Sequence, residues 1–200
     1  MITRIPDPRK EEIFNKPENR TFVLQLGEHS YTFTNKTNIP FNWIDQAILG
    51  LSNIMPFNLY GISEDNNKIF CVVSLYNCHI TKEPIGFIPG NKEYDSFPRD
   101  MHHVHMWNFC NALYDGIASH LDAWVDWILS CDDYQPEIHL DADAKQFFVK
   151  KLLLEKLENL SLWIETSYDN FPSEIYNYDT EYEEDDEEIE DFLEVLEIPD

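Results

Sequence analysis

The sequence predicts an α+β fold: a small antiparallel sheet of two hairpins packed by two long helices, with an acidic C-terminal tail. Three observations lead there. Four short β-rich runs, each bounded by turn residues, lie between positions 22 and 75. After Pro98, apolar residues recur at helical spacing for nearly thirty residues. Beyond Lys156 there is no further Lys or Arg. With 200 residues of which 43% are hydrophobic, the chain can bury a core, and neither an internal repeat nor a Gly/Ser linker divides it. The expected organisation is an extended N-terminal arm (1–20), a globular domain (21–166) and an acidic, aromatic-containing tail (167–200).

The arm is polar and punctuated by prolines. Residues 22–26 and 31–34, joined by Gly27-Glu28-His29-Ser30, read as a hairpin. Asn42 is placed to cap a helix over 43–54, where Trp43, Ile44, Ala47, Ile48, Leu51 and Ile54 share one face. Residues 57–62 and 69–75 form a second hairpin around the polar turn 63–67, and the nearly continuous apolar run 69–75 predicts a central strand covered on both faces. Residues 85–88 add a short edge strand. Met101, Val104, Trp107, Cys110, Leu113, Ile117, Leu121, Trp124 and Ile128 define the principal helix, which Gly116 kinks or divides. Its opposite face is polar and acidic, carrying Asn111, Asp115, Ser119, Asp122 and Asp126. Asp141 caps a last helix over 142–166, and these two long helices are expected to cover the sheet.

Charge narrows the function. Acidic residues number 38 against 14 basic, a formal net charge of −24. Such a surface repels phosphate backbones and anionic headgroups, so direct nucleic-acid binding and membrane attachment are not expected, whereas a basic protein is. The opening residues lack the apolar core of a signal peptide, and no run approaches a membrane span, so a cytoplasmic location is expected. Cys71, Cys78, Cys110 and Cys131 form no CxxC pair and are expected to be reduced, small core residues. Without a secretory signal, the sequons at Asn19, Asn35 and Asn159 carry no weight.

Enzyme chemistry finds little support in the residues. His102, His103 and His105 lie near Cys110, and Cys78-His79 is a second candidate pair, yet neither HExxH nor paired CxxC knuckles complete a ligand set. No GxSxG elbow or phosphate-cradling glycine loop is present, so no catalytic residue, cofactor or metal is expected. The alternative is a small metal-dependent or hydrolytic enzyme using His79 or the His102/His103/His105 group. A further alternative is an acidic chaperone for basic proteins.

The tail is the most informative stretch. Residues 157–200 carry seventeen acidic residues and no basic one, with aromatics interleaved. Tyrosines anchor desolvated interface centres while carboxylates steer and pair with Lys and Arg. The expected partner-binding residues are Asp169, Tyr176, Tyr178, Tyr182, Glu183, Glu184, Asp185, Asp186, Glu187, Glu188, Phe192 and Leu196. Ile189, Phe192 and Leu196 also share one helical face that could dock on a partner or on the protein's own core. The general profile is similar to that of two groups of proteins: immunity proteins that neutralise nuclease toxins, and phage-encoded DNA mimics that block restriction or CRISPR nucleases. That similarity implies an acidic inhibitor that occupies a basic cleft.

Overall fold

The computed structural model describes residues 14–84, 99–134 and 141–171. The first hairpin pairs β1 (Thr21–Leu26) with β2 (His29–Thr34), with Leu26 opposite His29. Its loop is only Gly27-Glu28, and Gly27 takes the positive φ of 58° that a tight two-residue turn needs at no steric cost. β1 alternates half-buried and buried residues, sending Phe22, Leu24 and Leu26 into the core. The second hairpin joins β3 (Phe57–Ser63) to β4 (Asn67–Val73).

Two further strands follow, β5 (Cys78–Pro84) and β6 (Arg99–His102), giving a six-stranded antiparallel sheet in sequence order. The expected edge strand at 85–88 lies outside the described residues. Neither added strand is conspicuous in sequence: CHITKEP has only Cys78 and Ile80 as buried apolar residues, and RDMH has no apolar alternation. Central β4 is not covered on both faces. Ile69, Cys71 and Val73 are buried, whereas Phe70 and Val72 on the other face are half-exposed. β2 and β3 share only two register pairs, Phe33 with Ser63 and Thr34 with Ile62, and the sheet curls there.

Helix α1 (Ile39–Asn53) starts four residues before the expected first residue, Trp43, and is capped by Asn38 rather than Asn42. Asn38 Oδ1 accepts from the Phe41 amide, and Pro40 sits in the first turn, where its missing N–H costs nothing. The long helix expected after Pro98 is two helices, α2 (Met106–Ala118) and α3 (Leu121–Leu129), broken at Ser119-His120. Gly116 is not the break. A Cβ there would overlap that of Phe14 and lie 3.1 Å from the Phe14 carbonyl oxygen, so this glycine admits the N-terminal segment against α2. Asn111, expected on the exposed face, is buried, while Asp122 and Asp126 are exposed.

Helix α4 (Ala142–Ser167) begins where Asp141 accepts from the Ala144 amide at 2.8 Å, as the sequence predicts. It packs on α1, α2 and α3 rather than chiefly on the sheet, burying Val149, Leu153, Leu157, Leu160 and Ile164. A 3-10 turn, Tyr168–Asn170, ends the described helix layer.

Aromatic rings fill the space between sheet and helices. Phe22 lies within 6.1 Å, centroid to centroid, of Phe14, Phe33, Trp43, Trp124 and Trp127, mostly edge to face. The indole N–H groups are satisfied on carbonyls: Trp43 on Tyr60 (2.9 Å), Trp124 on Gly116 (3.2 Å) and Trp127 on Thr37 (3.2 Å). All four cysteines are buried and free.

Candidate functional site

The residues expected to bind a partner fall mostly outside the described part of the chain: Tyr176, Tyr178, Tyr182, Glu183, Glu184, Asp185, Asp186, Glu187, Glu188, Phe192 and Leu196. Asp169 is described, and it is exposed in the 3-10 turn after α4. What the structure adds is the surface leading to it.

Helix α4 is apolar on two sides. Away from its buried stripe run Phe147, Lys151, Leu154, Glu158, Leu162 and Glu165, all exposed and centred about 140° round the helix at 100° per residue. The cations of this helix are largely committed inside the domain. Lys150 pairs with Asp122 at 2.7 Å, Lys151 with Glu155 at 3.7 Å, and Lys156 pairs with Asp45 while lying 5.4 Å from the centre of the Phe41 ring. Among the described residues, no Lys or Arg pairs with Glu158, Glu165 or Asp169. The last turn of α4 has no basic residue, so Glu165 adds its charge to the negative end of the helix dipole.

A second cluster gathers residues that sequence reasoning placed apart. In β2 the two-residue alternation puts His29, Tyr31 and Phe33 on one face. Curling of the sheet then brings Tyr31 to β6, where its hydroxyl donates to Asp100 Oδ2 at 2.8 Å and lies 2.7 Å from His102 Nε2. The His29 ring is 5.1 Å from that of His102. Burial, reinforced by the Asp100 hydrogen bond, raises the Tyr31 pKa, so the phenol stays neutral and donates. Burial and neighbouring His29 lower the His102 pKa against the opposing pull of Asp100. The result is a proton-bearing clasp between strands that are not sheet neighbours. Only His102 of this group had been singled out, because the contact spans 71 residues of sequence.

The histidines do not converge as one site. Strand alternation places His79 on the face opposite Cys78 and Ile80, opposite Met101 in register. His103 is exposed, and His105 precedes α2 with its ring 5.6 Å from Tyr76. Cys110 is buried in α2, and burial drives its thiol pKa up. Among the described residues, no group of three or more His, Cys, Asp or Glu side chains is placed to hold a metal ion. No described helix is long and apolar enough to cross a membrane.

An open cleft of about 880 Å³ lies between residues 16–20 and α3, with Trp127 in its lining. Its lining includes Lys16, Arg20 and Lys150 and also Glu18, Asp122 and Asp126, so its formal charges cancel and it favours neither an anion nor a cation.

No protein-family model matches this chain, and neither a curated protein nor a solved structure is significantly similar to it.

Proposed function

We propose that the protein is an acidic inhibitor that binds and blocks a basic protein partner in the cytoplasm, a nuclease or toxin whose substrate cleft must be basic to hold phosphates. The observation that carries this reading is the asymmetry of charge along α4 and beyond. Its Lys150, Lys151 and Lys156 are spent on internal ion pairs, whereas the chain from residue 157 onward has seventeen carboxylates and no cation. Leaving so many carboxylates uncompensated disfavours compact folding through self-repulsion, and a cationic partner removes that penalty. Immunity proteins and anti-defence DNA mimics both use this principle, in which spaced carboxylates occupy the groove meant for phosphates.

Stopped-flow association with a panel of purified basic nucleases, each also assayed for inhibition, tests the proposal. Association is expected to slow by about tenfold or more when salt is raised well above physiological strength, where the Debye length falls from about 8 Å towards 3 Å. A rate independent of salt, or a full panel neither bound nor inhibited, would overturn it.

A further inference from the structure

Helix α4 buries one apolar stripe and leaves another in solvent. Phe147, Leu154 and Leu162 are 72%, 42% and 56% exposed, although a surface helix ordinarily keeps its outer face polar. Their spacing of seven and eight residues aligns them along one side of the helix over about 22 Å, four turns. Isolated exposed apolar residues are ordinary; a row of three on one face marks an interaction surface. Charge says what covers it. Between and beyond these side chains lie Glu158, Glu165 and Asp169, which have no cationic partner among the described residues, the latter two at the negative end of the helix dipole. The Lys151–Glu155 pair neutralises the other end of the row.

We propose that this exposed face of α4 is a docking surface for a basic amphipathic helix of the partner protein, its apolar stripe packing on Phe147, Leu154 and Leu162 and its Lys or Arg side chains pairing with Glu158, Glu165 and Asp169. The inference rests on the basic-partner reading above and deepens it by naming the surface and the partner's secondary structure. Two packed helices interdigitate their side chains, and apolar residues at i, i+7 and i+15 give the partner helix a contact about every two turns. The carboxylates select for cationic helices and repel acidic ones.

The test uses the full chain and two fluorescent 18-residue Leu/Lys peptides of identical composition. One is ordered so that its leucines share a helical face, and the other is scrambled so that they do not. Binding is read by anisotropy. The ordered peptide is expected to bind about tenfold tighter than the scrambled one. The Leu154→Ser/Leu162→Ser variant should erase that difference, and because both residues are exposed the variant folds as the parent does. Glu158→Gln/Glu165→Gln should slow association of both peptides. Equal binding of the ordered peptide by the parent and the Leu154→Ser/Leu162→Ser variant overturns the proposal. If, in addition, neutralising Glu183, Glu184, Asp185 and Asp186 weakens both peptides equally, the basic-partner reading stands without the α4 surface. If the parent binds neither peptide, both readings fall. A parent dimer that Leu154→Ser/Leu162→Ser converts to monomer in sedimentation would assign this face to a second copy and overturn the proposal as well.

Discussion

Replacing Gly116 with Ala should destabilise the protein, although the same change in an open helix would stabilise it. Alanine is favoured over glycine by about 0.5–1 kcal/mol within a helix. Position 116 lies in the third turn of α2, yet an added Cβ there would overlap Phe14 Cβ and approach the Phe14 carbonyl oxygen to 3.1 Å. Phe14 cannot simply step aside. It is 4% exposed, lies 5.4 Å from Phe109 and 6.1 Å from both Phe22 and Trp43, and its backbone bridges to Leu24. Overpacking of a filled core costs about 1–3 kcal/mol, so the net expected loss is about 1–2 kcal/mol. In a Phe14→Gly background the obstructing Cβ is gone, and Gly116→Ala should become neutral or stabilising by the helix-propensity amount. Urea denaturation followed by tryptophan fluorescence on the four chains of this cycle measures both values and their coupling, expected at about 1–3 kcal/mol. If Gly116→Ala raises the stability of the parent, or costs the same with and without Phe14, the close-approach reasoning is wrong.

Asp141→Ala should lower stability by about 1 kcal/mol in urea denaturation, because it removes the side chain that accepts from the Ala144 amide at the start of α4. An unchanged midpoint would show that this cap contributes nothing. Because His102 has a pKa below its ordinary value of 6.5, the unfolded chain takes up the proton first as pH falls. Its contribution is therefore complete above that value and lost on acidification through the depressed folded one. The stability profile between pH 8 and 5 should be flatter in His102→Gln than in the parent, and identical slopes would refute this. Burial raises the thiol pKa values of Cys71 and Cys110, and pushes that of Cys131 up to about 12. With Cys78 equally buried, an aromatic disulfide reagent at pH 8 should label almost no thiol in the folded protein and all four in urea. Rapid native labelling of any cysteine would contradict the packing described.

Local signals in the sequence were legible and non-local ones were not. The Asp141 cap, the two early hairpins and the periodicities of α1 and α4 depend on residues within a few positions of one another, and the structure contains them all. The cap of α1 shifted from Asn42 to Asn38 because a proline in the first helical turn is tolerated, although Pro40 reads as a breaker. Met101 and Val104 fit the helical period by coincidence, which concealed β6. That strand is defined by pairing with β5, Cys78 opposite His102, and not by any pattern of its own. Gly116 reads as a kink or break, but it marks the close approach of a phenylalanine about one hundred residues earlier in the chain. The Tyr31–Asp100–His102 clasp was equally invisible, since each residue taken alone is an ordinary strand polar group. On α4, the sequence does not tell the exposed apolar residues from the buried ones, because a helix with apolar positions all round gives no indication of which side its neighbours cover.

The distribution of charge separates what folds this protein from what is proposed to give it a partner. Among the described residues, Glu83 is the only fully buried acidic group, while the core is built from neutral aromatic and aliphatic side chains. Through Lys156 the chain carries 21 acidic and 14 basic residues, an ordinary balance for a domain, and several of those charges meet in ion pairs. Exposed charges more than a Debye length apart, about 8 Å at physiological salt, scarcely act on one another. The large excess beyond residue 156 therefore acts on a cationic partner as the two surfaces come within that distance, and lowering the salt extends its reach. Steering depends on the summed field, whereas holding a partner requires apolar surface at a fixed place. The exposed row on α4 has that second property and the acidic sequence that follows it has the first. Under the proposed mechanism, substitutions at Phe147, Leu154 or Leu162 should act mainly on dissociation, and substitutions of the carboxylates beyond residue 156 mainly on association. Phe147, Leu154 and Leu162, with Glu158, Glu165 and Asp169 among the described carboxylates, are all exposed, so substitutions there can change binding without altering the fold.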